Sequence, residues 1–60
     1  MGKYGVNDIE KKIKEKGFTL ARARSSHKVY KKDLLLVVLP NSSYVSERIA
    51  TDIFSTLALA

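Results

Sequence analysis

The chain predicts an α+β fold: one helix, a three-stranded antiparallel sheet and a second helix, in that order. Three observations carry this. Residues 7–16 hold a narrow apolar stripe, Ile9 and Ile13, that stops at Gly17. Three short strand-like runs follow, Phe18 to Arg24, His27 to Lys32 and Leu34 to Leu39, separated by Ser25-Ser26 and by a short connection near Lys32 and Asp33. Val45, Ile49, Ile53 and Leu57 then recur at a spacing of four residues. Two helices with apolar stripes and one small sheet bury those faces as a two-layer sandwich, with both helices on one sheet face.

The first helix starts at a good capping residue, Asn7, with Glu10 as its capping-box partner three positions on and Asp8 near the positive helix end. Lys16 occupies the last turn and Gly17 the position where a left-handed residue closes a helix. In the first strand Phe18 and Leu20 lie on one face and Thr19, Ala21 and Ala23 on the other, with Arg22 and Arg24 leading into the serine turn. The second strand sets Val29 and Tyr30 among Lys28, Lys31 and Lys32. Pro40 ends the third, because it donates no ladder hydrogen bond and holds Leu39 extended. Asn41, Ser42 and Ser43 make a polar connection. The last helix takes Ser43 or Ser46 as its cap, and Ala50 and Phe54 widen its stripe.

The third strand does not fit a sheet covered on one side only. Its six consecutive aliphatic residues present apolar side chains to both faces, where alternation is expected. An exposed apolar strand invites association, so its second face or its edge is expected to meet another chain. Homo-oligomerisation through this strand and the last helix is one form of that expectation. Leu57-Ala58-Leu59-Ala60, with no charge, points the same way.

Sixty residues allow one small domain, residues 1–60, and exclude dinucleotide folds, barrels and two-domain enzymes. The absence of cysteine removes disulfides and thiolate zinc sites, and one histidine is too few for a histidine-rich metal site, so no metal or other cofactor is expected. The longest aliphatic run is far short of the about 20 residues of a spanning helix. The start lacks the apolar stretch of a secretory signal, and a cytoplasmic protein is expected. Charge is uneven: residues 1–32 carry ten Lys or Arg and three acids, for +7, whereas residues 33–60 sum to −2. A polyanion should meet the first half.

His27 is the one side chain whose ordinary pKa lies near neutrality, which makes it the natural candidate for proton transfer. Arg22 and Arg24 lie just upstream, and Lys28, Lys31 and Lys32 just downstream, so an anionic substrate would be held there. Cleaving RNA without a metal needs a base for the 2′-hydroxyl proton, an acid for the leaving oxygen and cations for the phosphate. His27 supplies one of these roles, and Arg24, Lys28 or Tyr30 are candidates for the rest. Tyr30 and Tyr44 are candidates for stacking on bases or for completing the edge of the core. Lys11, Lys12, Lys14 and Lys16 also read simply as a solvated helix face. The carboxylates are scattered, without metal-ligand spacing. Ser25 and Ser26 precede the histidine, but neighbouring strand residues point to opposite faces, so a hydrolase-like Ser–His pair is not expected.

This succession of a helix, Gly17-Phe18, a strand with Arg22 and Arg24, Ser25-Ser26-His27, Lys28, Val29, Tyr30, a hairpin, a strand closing on Pro40 and an amphipathic helix resembles the HicA (YcfA-like) toxins over about residues 7–57. Those are small mRNA interferases whose signature reads Gly-Phe, basic residues, then Gly-Ser-His. The resemblance implies a double-stranded-RNA-binding-domain-like fold and an endoribonuclease toxin acting on mRNA. It matches His27 to the catalytic histidine and implies a HicB-type antitoxin that covers the histidine and apolar surface. Two departures stand out. Ser25 replaces the signature glycine, a strained choice if the turn needs a positive φ, and the stretch after Pro40 lacks the second histidine and the glycines of many members. The alternative is a noncatalytic nucleic-acid-binding module of the same fold, and a third reading is a protein-interaction subunit.

Overall fold

The computed structural model describes residues 3–60. In chain order the elements are β1 (Lys3–Gly5), α1 (Val6–Glu15), β2 (Thr19–Ala23), β3 (His27–Lys32), β4 (Leu35–Pro40), β5 (Tyr44–Ser46) and α2 (Glu47–Leu57). Strands β2, β3 and β4 form the expected three-stranded antiparallel sheet with β3 in the middle, and the chain is a small α+β protein with two helices. The buried residues of both helices, Ile9 and Ile13 from α1 and Ala50, Ile53 and Leu57 from α2, join Tyr30, Val37 and Leu39 of the sheet in one core. Both helices therefore cover the same sheet face. Burying side chains such as Ile9 and Ile13 contributes about 1.5–3 kcal/mol each, which explains why so narrow a stripe suffices to dock α1.

A second, two-stranded sheet was not foreseen. β1 pairs antiparallel with β5, setting Tyr4 opposite Val45, and the chain passes from each of these strands straight into a helix. This pairing moves the start of α1 and selects Ser46 from the two caps expected for α2. The α1 cap is Gly5, not Asn7, and no side chain caps it. The N–H of Val6 donates instead to the carbonyl of Ser43 at 3.0 Å, so backbone from the β5 side takes the capping role. Glu10, freed from a capping box, turns toward the sheet. Val45 belongs to β5 and not to the helical stripe, although it is buried as expected. Ser46 is the α2 cap, its Oγ accepting the N–H of Ile49 at 3.4 Å.

Gly17 closes α1 with φ +92°, the left-handed position expected of it. Lys32 reinforces that end, its Nζ donating to the carbonyl of Lys16 at 2.7 Å. At the β3–β4 turn, Lys32 pairs with Leu35, so Asp33 and Leu34 form a two-residue loop in which Asp33 takes φ +54°. A left-handed first loop residue matches the twist of the flanking strands. Leu34 is thus a fully exposed turn residue, and the third strand of the sheet runs one residue later than expected. Its inward set is Leu35, Val37 and Leu39, and its outward set is Leu36, Val38 and Pro40. No described helix is long and apolar enough to cross a membrane.

Candidate functional site

Strand parity decides which of the sequence-predicted residues share a surface, because successive side chains alternate between sheet faces. Tyr30 is buried under the helices, only 2% exposed, so Lys28 and Lys32 share its face while His27, Val29 and Lys31 point to the uncovered face. In β2 a bulge intervenes. Leu20 pairs with Tyr30 and Arg22 with Val29, leaving Ala21 unpartnered. Without that extra residue Arg22 would stand opposite Lys28 on the helix side. The bulge re-aims it onto the open face.

Arg24 joins the same face. Its N–H donates to the carbonyl of His27 at 2.8 Å, which sets the two residues opposite each other across the Ser25-Ser26 loop, with Cα atoms about 5.5 Å apart in such a pair. The open face thus brings together Arg22, Arg24, His27 and Lys31. Lys28 and Lys32 are separated from them. Lys28 forms an ion pair with Glu10 of α1 at 3.0 Å, and Lys32 caps the end of that helix, so both tie β3 to α1.

Tyr30 donates a hydrogen bond to the same carboxylate oxygen of Glu10. That bond, followed by the one from Lys28, holds the Glu10 carboxyl below the usual carboxylate range. Burial first, and then the carboxylate, push the Tyr30 phenol up to about 12. Tyr30 is therefore a core residue held to α1 and not a stacking platform or a proton donor for substrate. Tyr44 does lie exposed, on β5. Glu10 was expected only as the capping-box partner of Asn7, and its role at this junction was missed.

His27 is half-buried at the start of β3, opposite Pro40 of β4. Ser26 lies in the loop and escapes strand alternation, so its Oγ comes within 3.1 Å of His27 Nδ1, contrary to the expectation from parity. Among the described residues Nε2 has no hydrogen-bond partner, which leaves that nitrogen for a ligand. Asn41 holds the loop. Its side-chain amide donates to the carbonyls of Arg24 and Ser25 at 2.8 and 3.2 Å, and its backbone N–H donates to Ser26 at 3.0 Å. Nothing in the sequence singled Asn41 out beyond its place after Pro40. Ser25 turns without left-handed strain, because Asp33 is the only non-glycine residue with positive φ among those described. The concern that serine is misplaced at this turn does not hold for this backbone.

The arrangement offers a nitrogen base or acid beside two guanidinium groups, with an ammonium further along, on an uncovered sheet face that also carries Thr19, Val29, Leu36, Val38 and Pro40. Such a surface suits a phosphodiester, since planar guanidinium groups match phosphate oxygens. Comparison with protein-family models, with curated proteins and with solved structures finds no match.

Proposed function

We propose that this chain is a HicA-like toxin with a double-stranded-RNA-binding-domain-like fold, an endoribonuclease that cleaves mRNA in the cytoplasm without a metal and is held in check by a HicB-type antitoxin. The observation that supports this reading most is that Arg22 and Arg24 lie beside His27 on the uncovered face, with Lys31 further along the same face. In the proposed reaction Nε2 of His27 takes the proton of a ribose 2′-hydroxyl, whose oxygen attacks the adjacent phosphorus. The P–O bond to the 5′-oxygen breaks, and that oxygen collects a proton from water or from the histidine that has just been protonated. Arg24, facing His27, and Arg22, one residue pair along, stabilise the charge that builds on the phosphate oxygens. Lys31, about 13 Å along β3 from His27, extends the contact to a neighbouring phosphate. The antitoxin would act by covering this face.

The test is incubation of a long unstructured RNA with the parent and with His27→Ala in excess chelator, read by electrophoresis. Cleavage by the parent alone supports the proposal. A second reading, a noncatalytic RNA-binding module of the same fold, is favoured by one feature: the Ser26 hydroxyl is the only side-chain partner of the His27 ring among the described residues, so no second acid or base is positioned beside it. Intact RNA in both lanes, with a retarded band, selects that reading and ends the catalytic one.

A further inference from the structure

The sheet has two free edges, and they differ. The β2 edge carries a bulge and a charge, Arg22, with Arg24 just beyond its end, and bulges and charges are both recognised ways of blunting an edge against association. The β4 edge carries none of these. No charge lies between Leu34 and Asn41, no bulge interrupts its pairing with β3, and Leu36 and Val38 are 57% and 53% exposed. Its backbone orientation follows from one bond. The N–H of Asn41 points inward to Ser26, so by alternation Leu39, Val37 and Leu35 also face β3, and the N–H and C=O groups of Leu36 and Val38 point out of the sheet. Pro40 shares that outward parity, so its missing N–H costs the sheet no hydrogen bond.

We propose that β4 pairs antiparallel with β4 of a second copy of this chain, the two-fold axis passing beside Val37. In that register Leu36 of each copy lies opposite Val38 of the other, and every outward N–H and C=O of the two residues finds a partner. A register centred on Val38 would instead set Leu36 against Pro40 and lose the donor that proline lacks. The seam puts Leu36 and Val38 of both copies into one apolar cluster on the open face, and on the helix side it brings the half-exposed Ile49 of α2 toward its counterpart. The net charge of +5 does not oppose this. Apart from Lys3 of β1 and Arg48 of α2, the cations lie on or beside β2, β3 and α1, and the β3 strands of the two copies are three strand spacings apart, about 14 Å, beyond the screening length of about 8 Å at physiological salt; on α2, the helix nearest the seam, Arg48 is offset by Glu47 and Asp52. A second copy is thus matched in hydrogen bonding, apolar surface and charge. A strand edge with one flanking isoleucine is smaller than a standard interface of about 800 Å² per partner, so a weak, reversible dimer is expected that forms as concentration rises.

Sedimentation equilibrium of the full chain from about 5 to 500 µM, a span suited to a weak dimer, should show reversible doubling of the 6.7 kDa mass. Amide exchange of Leu36 and Val38 should slow as concentration rises. The Leu36→Lys/Val38→Lys variant, changed only at exposed positions, should keep its circular dichroism spectrum and stay monomeric throughout the range. A parent that is monomeric at every concentration leaves the edge to a different chain and overturns the proposal, as does a dimer whose Leu36 and Val38 amides exchange as fast as in the monomer.

Discussion

Removing one oxygen from the core tests how α1 is held to the sheet. Tyr30 is buried, and its hydroxyl donates to a Glu10 carboxylate that also receives Lys28 at 3.0 Å. A hydrogen bond to a charged group contributes about 1.5–3 kcal/mol, and Glu10 keeps both Lys28 and some water, so Tyr30→Phe should cost about 1.5–2 kcal/mol. For a domain of this size that is a fall in Tm of roughly 6–16 °C, set against a total stability of only about 3–5 kcal/mol. Glu10→Ala should cost at least as much, because it leaves the buried hydroxyl without a partner. In that background Tyr30→Phe should be neutral or stabilising, since the orphaned group goes with it. Urea melts of the four proteins, followed by circular dichroism, measure the cycle. The pH limbs have definite signs. Glu10 has its pKa lowered by folding, so its contribution is present above the ordinary carboxylate value and is lost as pH falls through the lowered one. Tyr30 has its pKa raised from 10 to about 12, so its contribution is whole below pH 10 and is lost as pH rises toward 12. The alkaline loss should be absent from Tyr30→Phe. An equal cost of Tyr30→Phe with and without Glu10, or an unchanged alkaline limb, would refute the argument.

The cations should divide by sheet face. Arg22→Ala and Lys31→Ala should each flatten the dependence of RNA affinity on salt by about 0.7 in log–log slope with little change in Tm, whereas Lys28→Ala and Lys32→Ala should do the reverse, lowering stability by up to about 1 kcal/mol. Filter binding across a salt series, paired with melts, reads both, and a loss of slope from Lys28→Ala equal to that from Arg22→Ala would sink the division. Asn41→Ala should cost about 1 kcal/mol and lower RNA cleavage at least about tenfold with RNA affinity nearly unchanged, because it frees the loop that aims His27 and Arg24. Equal losses of cleavage and affinity would show that Asn41 does not act by positioning.

Much of the architecture was legible because it rests on local signals. Gly17 marks the end of α1 by the one backbone conformation it adopts cheaply, and Ile49, Ala50, Ile53, Phe54 and Leu57 announce α2 by periodicity. What was missed rests on distant pairing. β1 and β5 are three residues each and about forty apart, too short for any period to show, yet their pairing reassigns Val45 and the start of α1. The site was legible as a composition and not as a surface. Lys28, Lys31 and Lys32 read as one basic track, although residues 28 and 31 differ in parity and were bound to point apart in any regular strand. That signal was available. The bulge at Ala21 was not, because nothing in Thr19 to Ala23 marks one residue as surplus, and without it Arg22 belongs to the wrong face.

The consequence is that one strand divides its labour residue by residue. On one side of β3, Lys28, Tyr30 and Lys32 fasten α1 through Glu10 and the carbonyl of Lys16; on the other, His27, Val29 and Lys31 meet solvent. A chain of sixty residues has too thin a core to give its stability away at a site. The cations that hold the fold therefore could not also be those offered to a polyanion, because a phosphate competing for Lys28 or Lys32 would pull the helix from the sheet. Alternation resolves that conflict at no cost in length, and the bulge extends it to β2 by moving a guanidinium from the side where it would crowd Lys28 to the side where it faces the histidine's surface. Substitutions along β3 should accordingly alternate between loss of stability and loss of ligand affinity, with Val29, the open-face residue that carries no charge, affecting neither strongly.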